Sequence, residues 1–473
     1  MNRPILTILA AALLLSACAA PEFRQPHVAT PAAFKEEPAA VLTAADGSRW
    51  RQARAAERQP RGQWWLAFDD PALTALVDEA SRNNANLAVA AARVKQARSI
   101  VGIAAADRSP QIGIGAGAER AAPEGAAPQN TYRAGLGASY EVDLFGRVSA
   151  GVAAAEGDAA RIEADYRSVL LALQADVAQT YFQLRATDAE LDTLAQAVQL
   201  REESLKVTQR RFDHGDIGEF DLSRARTELA TARAEAIGLQ RQRQAAEHAL
   251  AVLLGRPAAD FTAGSSPLQD GAPLPRIPAG LPSSLLERRP DIAAAQRTME
   301  ASNARIGVAR AAMFPALSLN ADAGGVGGAV SDIFQMSARS WLLGATLAMP
   351  LLDGGRNKAN VARSEAVLEE SVASYRHSVL TAYAEVEDSL AGLRILDRQS
   401  DEVDDAVRSA RRAADLARKL YDTGRSSYID LLDAQRHLAN VERNAVQLRG
   451  DRAITTVALI RALGGGWGDI HEE

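Results

Sequence analysis

Apolar residues recur at strict intervals of seven over two long stretches of the chain. In the first, Leu170, Val177, Leu184, Leu191, Val198, Leu205 and Phe212 form one line. In the second, Val372, Val379, Val386, Leu393, Val407, Ala414 and Tyr421 keep the same register, interrupted only by Ser400. Such a period is the seam of a coiled coil, and kept strictly it forces a left-handed supercoil. It predicts two rods of about 67 residues, each roughly 100 Å long at 1.5 Å per residue. Each rod ends in a glycine turn, Phe212-Asp213-His214-Gly215 or Tyr421-Asp422-Thr423-Gly424, because glycine takes the left-handed conformation that closes a helix. A helix of about forty residues then returns, carrying Leu222 and Leu229 or Leu431 and Leu438 at the same spacing. Two helical hairpins are therefore predicted, over 147–255 and 356–464, with their tips side by side.

Four short segments alternate with period two instead. Ile112, Ile114, Ala116 and Ala118 are separated by glycines, and Ala134, Leu136, Ala138, Tyr140 and Val142 by polar residues and glycines. Leu317, Leu319, Ala321 and Ala323 alternate with Ser318, Asn320, Asp322 and Gly324; Trp341, Leu343, Ala345 and Leu347 continue the pattern. Strands are predicted at 110–118, 132–143, 315–324 and 340–350. One apolar and one wet face suits a membrane barrel, and an ordinary soluble sandwich as well. Tyr132, Tyr140, Phe145, Phe314, Phe334 and Trp341 border the strands as an interfacial belt would. Four strands cannot close a barrel that leaves a channel, and lipid does not tolerate open edges. Completion by other copies is expected: three chains would give twelve strands.

The two hairpins are copies of one unit. Residues 212–255 and 421–464 superpose at a constant offset of 209, and Asn86 to Pro110 matches Asp291 to Pro315 at an offset of 205. The mature chain is thus a tandem duplication. Of nineteen prolines, none lies between Pro128 and Pro257 or after Pro350, which leaves both blocks free to be long helices. The expected organisation is a signal peptide over 1–17, an N-terminal extension over 18–70, and a first repeat over 71–255. A proline-rich linker over 256–282, a second repeat over 283–466 and a tail over 467–473 follow.

Composition narrows the picture. With 47% apolar and 24% charged residues the chain is ordinarily globular, and its net charge of -6 comes without any basic cluster interleaved with aromatics, so nucleic acid is not an expected partner. The six histidines are scattered without ligand spacing, so neither a metal nor a cofactor is expected. No P-loop, dinucleotide fingerprint or nucleophile elbow is present, and no enzyme is expected. Arg3, the apolar run Ile5 to Leu15 and then Leu15-Ser16-Ala17-Cys18 read as a secretory signal. The small residues before Cys18, the sole cysteine, resemble a lipobox, so Cys18 is the expected lipidation site and lipid the expected anchor. Ala19 and Ala20 offer no acidic sorting residue, which in such lipoproteins implies the outer membrane.

Several stretches resemble the TolC-type outer-membrane channel family, and within it the OprM/NodT-like efflux lipoproteins. They are Trp64-Trp65-Leu66-Ala67-Phe68-Asp69-Asp70-Pro71-Ala72-Leu73, Tyr140-Glu141-Val142-Asp143-Leu144-Phe145-Gly146-Arg147, Gly280 through Ile292, Phe314 through Leu319, and Tyr428-Ile429-Asp430-Leu431-Leu432-Asp433-Ala434-Gln435. The resemblance covers nearly the whole mature chain. It implies an α+β fold: a homotrimer whose twelve-stranded β-barrel continues into a long periplasmic α-helical coiled-coil barrel. It further implies a passive exit duct, docked at its tips onto a periplasmic membrane-fusion adaptor and served by an inner-membrane transporter of the resistance-nodulation-division type, or an ABC or MFS pump. A duct for type I protein secretion is the alternative; a non-porous periplasmic tether is a third reading, disfavoured by the strands.

Asp430 and Asp433, three apart on the returning helix, share one face. Under threefold symmetry they would form a ring that favours cations, a constriction and gate; capping the helix start or lying in solvent is the competing role. Both match the family's constriction motif. Leu432, which aligns with Ser223, is the candidate for an apolar seal, whereas Leu431, aligned with Leu222, is expected in the core. Similar channels latch the tip with a tyrosine-to-carboxylate hydrogen bond, here Tyr421 to Asp221, and Arg425 would add an ion pair. Ser426 stands where some relatives carry the latching arginine. Gly215 and Gly424 cap their helices, and in similar channels these turns face the adaptor.

Overall fold

In a computed structural model of the chain, residues 22–36, 62–269 and 282–465 are described, apart from positions 27, 29, 123, 126 and 283 (the last in its side chain), together with 274, 275 and 277. The signal sequence, Cys18 and the tail 467–473 lie outside the described residues. Helices α1 (Pro71–Asn83) and α2 (Ala85–Ala106) precede strands β1 (Gln111–Ala121) and β2 (Gln129–Val142), followed by α3 (Arg147–Asp213) and α4 (Glu219–Leu253). The same order recurs as α5 (Leu285–Arg288), α6 (Pro290–Ala311), β3 (Ala316–Gly327), β4 (Arg339–Ala348), α7 (Arg356–Asp422) and α8 (Tyr428–Ala462). α3 and α7 both run for 67 residues, and α4 and α8 both for 35. The strands extend further from the helices than the alternation alone suggested, β1 to Ala121 and β3 to Gly327.

The chain divides into two compact units. The first, built around residues 91–165 and 291–378, holds one antiparallel sheet in the order β1-β2-β3-β4. Its register brings Ile114, Leu136, Ala323 and Trp341 into one row, with Ile112, Ala138, Ala321 and Leu343 in the next. Because side chains alternate along a strand, this register places all four apolar alternations on one face. β1 and β4 are the sheet's edges, and Ile114 (86% exposed), Trp341 and Leu343 stand uncovered on them.

Two equivalent corners connect sheet to long helix. After β2, the Asp143 carboxylate accepts hydrogen bonds from the Val148 (3.0 Å) and Ser149 (2.8 Å) amides and from the Ser149 hydroxyl (2.6 Å). After β4, Asp353 accepts from the Gly355 and Asn357 amides, each at 2.9 Å. Donors that a helix start leaves unpaired are thereby satisfied. Gly146 and Gly355 turn the chain with φ of 74° and 84°. Burial alone would raise the pKa of Asp143, but its hydrogen bonds outweigh that and hold the carboxyl below the usual carboxylate range; at Asp353 the Asn357 and Gly355 amides lower it likewise.

The second unit, built around residues 62–90, 166–269, 282–290 and 379–465, contains the hairpins. Every seam residue within it is buried or half-buried, with Val177, Leu184, Val379 and Val386 at the centre. Its main core gathers Trp64, Trp65 and Phe68 with Leu73, Val77, Tyr181, Phe182, Leu250 and Val457. Asp70 caps α1 through the Ala72 and Leu73 amides, while its other oxygen accepts from the Tyr181 hydroxyl at 2.6 Å. The linker after α4 is clamped by charge. Asp188, almost wholly buried, accepts from Arg243 Nε at 2.6 Å, from Arg185 at 3.3 Å and from the Ser266 amide at 3.0 Å. Arg243 also donates to the Ala263 carbonyl (2.8 Å), and Arg185 to that of Gly264 (2.7 Å).

Candidate functional site

The hairpin turns are built alike. In the first, Gly215 (φ 79°) lets its amide reach the Phe212 carbonyl and the Asp216 amide reach that of Arg211. In the second, Gly424 (φ 71°) does the same for Tyr421, with the Arg425 amide on Leu420. These are the paired bonds of a Schellman close. A Cβ at either glycine would meet nothing within 4 Å, so both turns project freely. The returning helices start differently. α4 has Gly218 as its cap and no side-chain bond, whereas Ser427 and Asp430 form a capping box on α8. There the Asp430 carboxylate accepts from the Ser427 amide (3.0 Å) and hydroxyl (2.7 Å). These bonds hold the pKa of the exposed Asp430 carboxyl below the usual carboxylate range.

Just inside the turns, Ala225, Tyr421, Tyr428, Leu431 and Leu432 form a small core. The Arg436 guanidinium grips the Glu228 carboxylate with both nitrogens, Nε at 3.0 Å, and so ties the second hairpin to the first. Further along, Arg443 pairs with Glu190 at 2.8 Å and Arg418 with Glu203 at 3.3 Å in the same sense. Burial, then the Glu228 carboxylate and Tyr421, push the Tyr428 hydroxyl up to about 12. Asp433 is exposed and lies 3.8 Å from Arg436, one turn along. Asp430 and Asp433 thus share the solvent side of α8, with half-buried Ile429 as their apolar neighbour.

In the other unit, the face of the sheet opposite its apolar side is glycine-rich and polar. A hollow of about 1040 Å³ lies against it, lined by Gly113, Gly115, Gly117, Gly135, Gly137 and Gly324 among others. No described helix is long and apolar enough to cross a membrane, and no group of three or more metal-ligating side chains occurs among the described residues.

Residues 76–256 and 281–465 match the family described as outer membrane efflux protein, one block on each copy of the repeat. The chain belongs to the outer membrane efflux protein family. It is 36% identical over 408 residues to the solvent efflux pump outer membrane protein SrpC of Pseudomonas putida, covering 85% of this chain and 86% of that one. It is 33% identical to the pyoverdine export outer membrane protein OpmQ of Pseudomonas aeruginosa, covering 99% and 98%. The solved outer-membrane channel OprN superposes with a TM-score of 0.83 at 29% identity, covering 95% of this chain and 99% of that chain. This efflux protein therefore resides in the outer membrane and has the TolC-type fold, with its tandem repeat and four-stranded sheet.

Two expectations for the tip of the efflux protein, those for Leu432 and for Tyr421, need correction. Leu432 is only 1% exposed, packed in the small core, and so cannot line a pore in this conformation. The offset alignment with Ser223 misjudged it: Leu432 turns inward beside Leu431, and Ile429 is the apolar side chain that shares the carboxylate face. Tyr421 does not bond Asp221; its hydroxyl is buried without a hydrogen-bond partner, and the ring carries the Arg211 guanidinium at 5.0 Å. Arg425 is exposed and forms no ion pair among the described residues. The Glu228 to Arg436 pair is the tie that sequence reasoning missed. Its signal was faint: a glutamate and an arginine at related heights on two helices, with nothing in the period to say that those helices face each other.

An unpaired buried hydroxyl costs about 1 to 3 kcal/mol. Tyr421→Phe, which removes only that oxygen, is expected to stabilise the fold by about 1 kcal/mol, read as a raised thermal midpoint of the purified protein. A lowered midpoint would show that the hydroxyl has a partner after all.

Proposed function

We propose that the chain is the exit duct of a tripartite efflux system, a homotrimer that passes small molecules outward without consuming energy itself. The observation that carries this reading is the sheet: four strands, one largely apolar face, and two uncovered edges that bear exposed apolar side chains. In lipid those edges need partners, and three copies supply twelve strands, enough to leave a lumen. A periplasmic adaptor and an inner-membrane transporter complete the system, consistent with relatives named as the outer-membrane components of efflux pumps. The names of SrpC and OpmQ favour small organic cargo. Catalysis has no part in this reading.

At the tips, Asp430 and Asp433 form the constriction. Six carboxylates around the axis favour cations, with Ile429 beside them as the apolar element. Asp430 is also fixed by its capping box, so its charge is held in place whatever its neighbours do. The protein in planar bilayers is expected to conduct with cation preference, and Asp433→Asn with Asp430→Asn to lower that preference severalfold. Conductance with no change in selectivity would remove the carboxylates from the constriction; no conductance at all would remove the duct.

The free turns at Gly215 and Gly424 are the adaptor contacts. Valine at either position must adopt a positive φ, a strain of about 1 to 2 kcal/mol confined to the turn. Gly424→Val is expected to cut drug export in a deletion strain at least tenfold while trimers still form, a comparison of drug susceptibility with the trimer band. Full resistance in that strain would place the adaptor elsewhere.

A further inference from the structure

We infer that Asp322 is a second charge-selective element of the duct, set in the β-barrel and separate from the carboxylates of the tips. The inference rests on the reading of the sheet as one third of a barrel. Asp322 lies on the polar face, paired with Gly137 on β2 and Leu342 on β4. Its neighbours along that face of β3 are Asn320 and Gly324. It is exposed, and its Oδ1 lies 3.0 Å from where a Cβ on Gly137 would stand, so the glycine makes room for the carboxylate to lie over β2.

The other charges on this face cancel locally. Arg133 is paired with Glu119, and Glu141 with Arg147 at 2.7 and 2.6 Å. Arg133 and Glu141 stand four residues to either side of Gly137 on β2, which at 3.3 Å per residue is about 13 Å. That exceeds the screening length of about 10 Å at 0.1 M salt. Among the described residues, Asp322 is the one charge on this face without a counter-ion nearby, and it borders the same hollow as the glycines. The glycines bring no side chain between it and passing solute. Threefold symmetry then sets three such carboxylates at one height of the lumen. In a wide, wet lumen their field acts through solvent, so the selectivity it confers is modest and sensitive to salt.

The test uses the full chain in planar bilayers, with Asp430→Asn and Asp433→Asn in the background so that the tips carry no ring. Reversal potentials in potassium chloride gradients are compared with and without Asp322→Asn. The background is expected to remain cation-selective, and Asp322→Asn to lower the potassium-to-chloride permeability ratio on the order of threefold near 0.1 M salt, with the difference gone near 1 M. Asp322→Lys is expected to reverse the preference, and Asp322→Ser replaces it should the lysine variant not assemble. Conducting channels whose low-salt ratio is the same in all of them would overturn the inference. Absence of conductance from the unaltered protein would instead sink the duct reading, and this inference with it.

Discussion

Asp188→Ala is expected to destabilise the protein by about 3 to 5 kcal/mol, the usual loss when one partner leaves a buried charge network. The carboxylate is 1% exposed and its arginines, Arg185 and Arg243, are 10% and 17% exposed at their side chains. Deleting it strips the desolvated Arg185 guanidinium of its carboxylate, leaves Arg243 with Glu247 alone at 2.7 Å, and frees the Ser266 amide as well. The linker at Ala263 and Gly264 is held by those same arginines, so chymotrypsin should cut after Phe261 well before global unfolding. The repeat supplies its own control. At the offset of 209, Arg185, Asp188 and Arg243 become Arg394, Asp397 and Arg452. Asp397 pairs with Arg452 but is 67% exposed, and such pairs contribute about 0 to 1 kcal/mol. Asp397→Ala should therefore change the midpoint little. Equal losses for the two variants would mean that burial does not set the strength of this clamp.

Gly324→Ala is expected to remove trimers from the outer membrane. A Cβ there would overlap the Ala134 carbonyl oxygen and stand 2.7 Å from the Gly135 Cα, both backbone atoms of the adjoining strand. No rotamer can relieve that contact; the pairing of β2 with β3 has to open. Overpacking in a close-fitted interior costs about 1 to 3 kcal/mol, and here it recurs at one seam in every copy. Gly115→Ala, on the same face with nothing within 4 Å, should assemble normally. The measurement is the heat-sensitive trimer band in outer-membrane fractions of the two strains. Normal trimer from Gly324→Ala would show that the strands part more easily than their register suggests.

The long helices were legible because a period of seven marks an apolar line wherever it falls, and the lines in α3 and α7 are indeed the buried ones. The sheet was legible as alternation, and its register then set Ile114, Leu136, Ala323 and Trp341 on a single face. Periodicity reports faces and leaves partners open. It gave no reason to connect Glu228 with Arg436, or Asp188 with two arginines and a linker. Leu432 was misread for a related cause: comparison with Ser223 assumed that equivalent positions share surroundings, but the small core beside Tyr421 and Tyr428 belongs to the second hairpin and takes Leu432 inward. The orphaned Tyr421 hydroxyl depends on distances within one turn, which no spacing of residue types encodes.

The order of the strands also orders their formation. β1 and β2 are joined by a short loop, as are β3 and β4, so each pair can close early. β2 and β3, although neighbours in the sheet, are separated in the chain by roughly 170 residues, and contacts that close so long a loop form slowly. The intervening residues are the first hairpin, the linker and α6, whose local contacts condense first. Sheet completion within one chain is thus expected to be a late event, of the same kind as the edge pairing proposed between copies. Chains that cross the periplasm before β2 meets β3 carry half-made sheets and bare apolar edges, so this strand order is expected to call for escort on the way to the outer membrane.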